Sequence, residues 1–150
     1  MKIAIGSDHA AEFLKNAITP HLVQRGLYPN DLGLGNRTLF EYPVIAKKVA
    51  DLVAGGTVDL GILLCGTGVG VSIVANKVKG VRAVVCSEPY SAKLSKQHND
   101  TNVLCLGSRV VGEDLALMIV DAWIDAEAEG GRHAERVGMI AKMEETGTPF

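Results

Sequence analysis

The sequence predicts a Rossmann-like three-layer α/β/α sandwich on a mostly parallel five-stranded sheet, and three observations lead there. Short aliphatic runs alternate with helical segments of about ten to fifteen residues, the rhythm of βαβ units joined by right-handed crossovers. The run from Leu60 to Cys65 has no polar or charged side chain, as expected of a strand covered on both faces. The 150 residues are 47% apolar, 21% charged and only 5% aromatic, which suits one independently folding domain, 1–150, with an aliphatic core.

Each element has a local reason. Lys2 to Gly6 is a short aliphatic strand ending in a polar turn. From Ala10 to Arg25 the residues Phe13, Leu14, Ala17, Ile18, Leu22 and Val23 recur with helical spacing, and Pro20 inside that pattern predicts a kink or an early stop. Tyr28 to Leu34 reads as a weak second strand. Ile45, Val49, Leu52 and Val53 mark an amphipathic helix closed by Gly55-Gly56. After the third strand, Leu60 to Cys65, the loop Gly66-Thr67-Gly68-Val69-Gly70 leads into a helix through about Lys77. Val81 to Cys86 and Val103 to Leu106 are the fourth and fifth strands. Between them Pro89 to Gln97 is helical, with proline suited to a first turn. Glu113 to Ala128 forms a longer helix carrying Trp123, and a last helix follows Gly130-Gly131.

Composition removes several function classes. Seventeen acidic against fifteen basic residues give a net charge of −2, without the basic stretch that binding to nucleic acid needs. Too few apolar residues precede Ser7-Asp8-His9 for a secretory signal, so the cytoplasm is expected. The uncharged stretch Leu60 to Asn76 holds four glycines and falls short of the ~20 apolar residues of a membrane span. Cys65, Cys86 and Cys105 are an odd number without CxxC spacing, which predicts reduced thiols rather than disulfides or a zinc ribbon.

In open parallel sheets ligands bind outside the carboxyl ends of the strands, and those ends are polar here: Ser7, Asp8 and His9; Cys65 and the glycine loop; Ser87 and Glu88; Gly107, Ser108 and Arg109. Glycines alternating from Gly66 to Gly70 let backbone N–H groups converge into an anion-holding nest. A tight turn needing glycine only for packing is the plainer alternative. The dinucleotide fingerprint fails, because Val71 takes its third glycine position and the loop follows the third strand. Cys65 feeds that loop, where converging N–H groups favour a thiolate and make it a candidate base or nucleophile; Cys86 and Cys105 read as core. Asp8-His9 and His98-Asn99-Asp100 put imidazoles in turns beside acidic or amide partners, suited to proton exchange. No spacing among them supports a metal site, and His21 reads as structural. Arg132 and Arg136 share one face at a helix amino terminus, where cations oppose the macrodipole by about 0.3–1 kcal/mol each. An anion would resolve that; offsetting by Glu129 and Glu135 is the plainer alternative.

These residues resemble the type B ribose-5-phosphate isomerases, a family that includes galactose-6-phosphate and allose-6-phosphate isomerases. The resemblance runs in order through Gly6-Ser7-Asp8-His9, Glu41-Tyr42-Pro43, Cys65 to Gly70, Ser72 to Lys77, His98-Asn99-Asp100, Gly107 to Val110 and Gly131-Arg132-His133. It implies a cofactor-free aldose–ketose isomerisation of a phosphorylated sugar through a cis-enediolate. Cys65 matches the base and His98 the residue that opens the sugar ring. Thr67 is the third residue that the resemblance implies is catalytic, within a loop whose Gly66, Gly68, Val69 and Gly70 hold the enediolate oxygens. Asp8, His9, Tyr42 and Asn99 line the site, and Arg109, Arg132 and Arg136 match phosphate and sugar contacts. The resemblance also implies a homodimer or tetramer with sites at the subunit interface, the carboxyl-terminal helix, about 131–146, packing on the partner. Ala11, Glu41 and Ser87-Glu88 depart from the family pattern and bear on the choice of sugar.

Ribose 5-phosphate with ribulose 5-phosphate is the default pair; allose, galactose and tetrose phosphates are alternatives. A non-catalytic sugar-phosphate-binding subunit of a hetero-oligomer is another, against which Cys65 and His98 both stand. An NAD-linked oxidoreductase fails on the glycine spacing.

Overall fold

A computed structural model of the chain describes residues 1–33 and 41–150. In order these form β1 (Ile3–Ser7), a 3₁₀ turn (His9–Ala11), α1 (Glu12–Gln24), β2 (Asn30–Asp31), α2 (Tyr42–Ala54), β3 (Leu60–Cys65), α3 (Val69–Ala75), β4 (Ala83–Val85), α4 (Pro89–Asn99), β5 (Val103–Gly107), α5 (Glu113–Ile124) and α6 (Arg132–Thr146). The strands make one sheet in the order β2-β1-β3-β5-β4, every neighbouring pair parallel. Side chains alternate across it. Ile3, Ile5, Ile62, Leu64, Leu104 and Leu106 face Leu14, Ile18 and Leu22 of α1, Ala92 of α4 and Ile119 and Trp123 of α5. Ala4, Leu63, Val103 and Cys105 face Ala46, Val49 and Val53 of α2 and Val71 and Ala75 of α3. The three expected layers are therefore present, with a buried core on each side of the sheet.

Departures from the expected elements have physical causes. Helix α1 runs through Pro20 rather than stopping there. Asn16, whose carbonyl the proline leaves without a donor, is exposed, so water can satisfy it. The weak second strand shrinks to two exposed residues at a sheet edge, where Lys15 Nζ holds the Asp31 carboxylate at 2.7 and 2.9 Å; Leu34 lies outside the described residues. Helix α3 ends at Ala75 because the Asn76 side chain turns to the sheet, accepting from Ala83 N at 2.8 Å and donating to Ala83 O at 2.9 Å. That clamp marks β4 as an edge, and only three of its expected six residues pair. Helix α5 ends at Ile124 instead of Ala128, after which the chain is pinned to α4 by Glu129 N donating to Gln97 O at 2.8 Å. His21 is structural as expected, its Nε2 2.7 Å from Asp121 Oδ1 of α5.

Nothing in α6 is buried, and Met139, Ile140 and Met143 stand exposed along it. Among the described residues no helix is long and apolar enough to cross a membrane.

One buried polar knot fixes α4 against the sheet. Thr101 Oγ1 accepts from Trp123 Nε1 at 2.8 Å and lies 3.0 Å from Ser95 Oγ, joining α4, α5 and the start of β5. Thr101→Val strands the indole N–H, and chemical denaturation followed by Trp123 fluorescence is expected to show a loss of about 1–3 kcal/mol.

Candidate active site

The register brings the site to one edge. Ser7 stands opposite Leu64, and Cys65 opposite Gly107, so β1, β3 and β5 end level. The chain leaves β1 toward β2 on one side and β3 on the other, the switch point where open sheets form a crevice.

At this edge the loop after β3 folds back over its own cysteine. Gly68 N lies 3.1 Å from Cys65 Sγ, and Gly68 adopts φ 80°, a conformation that favours glycine. The loop rests directly on the end of β5: a Cβ at Gly107 would lie 2.6 Å from the Thr67 carbonyl carbon. Ser108 N donates to Cys65 O at 2.9 Å and Arg109 N to Gly66 O at 3.0 Å. The Arg109 guanidinium passes over Gly66, where a Cβ would meet Nη1 at 3.4 Å, and the Tyr42 ring lies against Gly70, where one would meet it at 2.8 Å. Asp8 receives Ala10 N at 2.9 Å, exposed His9 follows it, and Ser108 Oγ donates to Ala10 O at 2.9 Å, tying the first and fifth strand ends together. Asp8, His9, Tyr42, Cys65, Gly66, Thr67, Gly68, Val69, Gly70 and Arg109 thus share one edge. Packing is one use of these glycines, since the loop seats on β5 only where Cβ atoms are absent.

His98, Asn99, Arg132 and Arg136 stand elsewhere in the chain. Helix α4 starts beyond the carboxyl end of β4 and runs back along the sheet for eleven residues, about 16 Å. Its last residues therefore reach the opposite edge, where Arg82, just before β4, donates from Nε to Asn99 O at 3.1 Å and from Nη2 to Asp100 Oδ2 at 2.9 Å. His98 and Asn99, expected in a turn, are the last two residues of α4; the turn comes at Asp100, φ 45°. Asp8-His9 and His98 are therefore not neighbours within one chain. Helix α6 begins beside α4, and the His133 ring stacks on His98 with centroids 4.2 Å apart and planes 5° from parallel.

Electrostatics separates the candidates. Burial, with Glu88 adding, pushes the Cys86 thiol up to about 11, and burial pushes Cys105 further up, so both are inert core residues as expected. Glu129 reaches His133, 3.6 Å away, rather than either arginine. Among the described residues Arg109, Arg132 and Arg136 form no ion pair, which leaves three guanidinium groups open to an anion. Sequence reasoning gave no role to Gly107 or His133. The first needs the strand register to be seen as the loop's seat; the second stands four residues after Glu129, a spacing that could have drawn notice.

A family model described as Ribose/Galactose Isomerase matches residues 3–140. The chain is 60% identical over 144 residues to ribose-5-phosphate isomerase B of Escherichia coli K12, covering 96% of this chain and 97% of that protein. It is 46% identical over 147 residues to a D-erythrulose-4-phosphate isomerase of Pectobacterium atrosepticum, covering 96% and 95%. The crystal structure of ribose-5-phosphate isomerase B from Mycoplasma genitalium with bound ribulose-5-phosphate superposes with a TM-score of 0.92 at 44% identity, covering 97% of each chain.

The seat of the loop is testable alone. Gly107→Ala is expected to cost about 1–3 kcal/mol in chemical denaturation and to shift Thr67 away from Cys65 in a crystal structure. Gly130→Ala, where a Cβ meets open space, should stay within about 0.5 kcal/mol of the parent.

Proposed function

The chain belongs to the ribose/galactose isomerase family, and from that premise we propose that it interconverts ribose 5-phosphate and ribulose 5-phosphate through a cis-enediolate. The observation that carries this reading is Cys65 at the carboxyl edge of β3, with Gly68 N 3.1 Å from its sulfur. As a thiolate, Cys65 takes the proton from C2 of the open-chain aldose; the C–H electron pair becomes the C1=C2 bond and the carbonyl oxygen becomes an enediolate oxygen. Return of the proton to C1, with a hydroxyl proton moving from O2 to O1, yields the ketose. Only protons and electron pairs within the sugar move, so the scheme requires neither metal nor nucleotide. The amides of Gly66 to Gly70, with Thr67, face the developing oxygens; one such donor is worth about 10² to 10³ in rate. His98 opens the sugar ring, Asn99, Asp8, His9 and Tyr42 line the site, and Arg109, Arg132 and Arg136 hold phosphate and sugar.

A tetrose phosphate is the second reading, favoured by the 46% identity to the erythrulose-4-phosphate isomerase.

We infer a single-domain cytoplasmic protein that works as a homodimer, alone or paired into a tetramer. Three free cysteines suit a reducing compartment. The dimer is supported by the division of the site: Cys65 and His98 stand at opposite edges of one chain, a separation that a two-fold partner removes by setting each amino-edge group against the other subunit's carboxyl edge. The apolar Met139, Ile140 and Met143 of α6 give that contact something to bury. The carboxyl-terminal tail, 147–150, lies beyond that helix.

In D₂O with EDTA, ribose 5-phosphate should yield ketose carrying solvent deuterium at C1, read by NMR, and absence of turnover on four-, five- and six-carbon aldose phosphates would defeat the proposal. Cys65→Ala should lower kcat by about 10²- to 10⁴-fold with KM within about tenfold, whereas Arg136→Ala should raise KM and change kcat little. Mixing the inactive Cys65→Ala and His98→Ala proteins tests the shared site. A random mixture should recover about a quarter of parental activity, because each mixed dimer holds one intact site; no recovery would place both residues in one subunit's site.

A further inference from the structure

The stacked histidines sit in a setting the isomerisation does not explain. His98 closes α4, His133 lies in the first turn of α6, and Glu129 precedes that helix, its backbone pinned to Gln97 O at 2.8 Å. One ligand atom from each of His98, Glu129 and His133 lies within 4.8 Å of the other two, and the Glu129–His133 pair is already at 3.6 Å. A tetrahedral zinc site with bonds of 2.0–2.2 Å spaces its ligands by about 3.4 Å, so the cluster needs only a small contraction. The two rings must also tilt out of their stack to aim their lone pairs at one ion. The ring torsion of histidine is broad, and both rings are half-buried rather than locked in the core.

The neighbours narrow the ligand set. A cavity of about 130 Å³ adjoins the cluster, with His98, Asp100 and Glu129 among its lining residues, room for an ion with a few waters. Asp100 is already held by Arg82 and Lys96 at 2.9 and 3.1 Å, which leaves Glu129, paired among the described residues only with His133, as the carboxylate for the cluster. The His133 ring, stacked on His98 at 4.2 Å and 3.6 Å from Glu129, holds its ring nitrogens beside both other ligands. Arg132 and Arg136 nearby disfavour a weakly held cation. Two imidazoles and one carboxylate select zinc, cobalt or nickel over magnesium or calcium.

We propose that His98, Glu129 and His133 form a site for a divalent transition cation of the zinc–cobalt class, and that its occupation inhibits the enzyme by withdrawing His98 from ring opening. The binding stands on the cluster alone; the inhibition rests on the role given to His98 above.

The test uses the EDTA-treated, desalted full-length protein. Cobalt(II) titration should produce a visible ligand-field band that zinc bleaches and magnesium leaves unchanged. Cys65→Ala should keep the band, and its loss there would assign the metal to the thiol and overturn the site. Glu129→Gln should weaken cobalt binding by about tenfold or more while leaving metal-free turnover at the parental level. Zinc should inhibit the parent reversibly, with EDTA restoring activity, and should inhibit Glu129→Gln only at correspondingly higher concentration. No band in the parent overturns the proposal; a band without inhibition overturns its regulatory half. Turnover in EDTA reads the isomerase assignment separately.

Discussion

The contact on which the candidate site depends is backbone on backbone. Thr67 lies so close to the end of β5 that only a glycine fits beneath it, and this lets the loop curl until an amide faces the Cys65 sulfur. A side chain at Gly107 would lift the loop, and the cysteine would lose its nearest donor. The same economy recurs around the rim, where Arg109 crosses Gly66 and Tyr42 packs on Gly70. Glycines thus set how closely the polar groups approach, and the parallel register of β3 with β5 sets where.

Helix direction divides the rest. In a parallel sheet each crossover helix carries the chain back to the amino edge, so residues at its carboxyl end cannot meet those at the strand tips of the same unit. Helix α4 therefore delivers His98 and Asn99 to the far side, and α5 delivers the start of α6, with its two arginines, beside them. Among the described residues, guanidinium groups without an ion pair stand at both edges, Arg109 at one and Arg132 and Arg136 at the other. The apolar side chains of α6 give such a divided surface a reason to be covered.

Much of this was legible in the sequence because its signals were local. The limits of β3 follow from its unbroken apolar run, and the start of α4 from Pro89 after Glu88, whose carboxylate accepts from Ser91 N. Strands β2 and β4 came out shorter than the segments the sequence offered because both lie at sheet edges, where position decides how many residues pair. Pro20 failed to stop α1 since the freed carbonyl lies on an exposed residue. Within the site, Cys65 and its loop could be read from adjacency in the chain. The separation of His98 from them could not be, because it depends on tracing a helix back across the sheet, and the seat at Gly107 depends on a register between strands forty residues apart.

The Asn76 clamp on β4 has a consequence for how copies of the molecule can associate. Its amide occupies the outward-facing N–H and C=O of Ala83, the pair through which another strand would dock. An open sheet edge is a template for end-to-end polymerisation, and here one side chain terminates the template. Strand addition at this edge, which would propagate without limit, is thereby disfavoured.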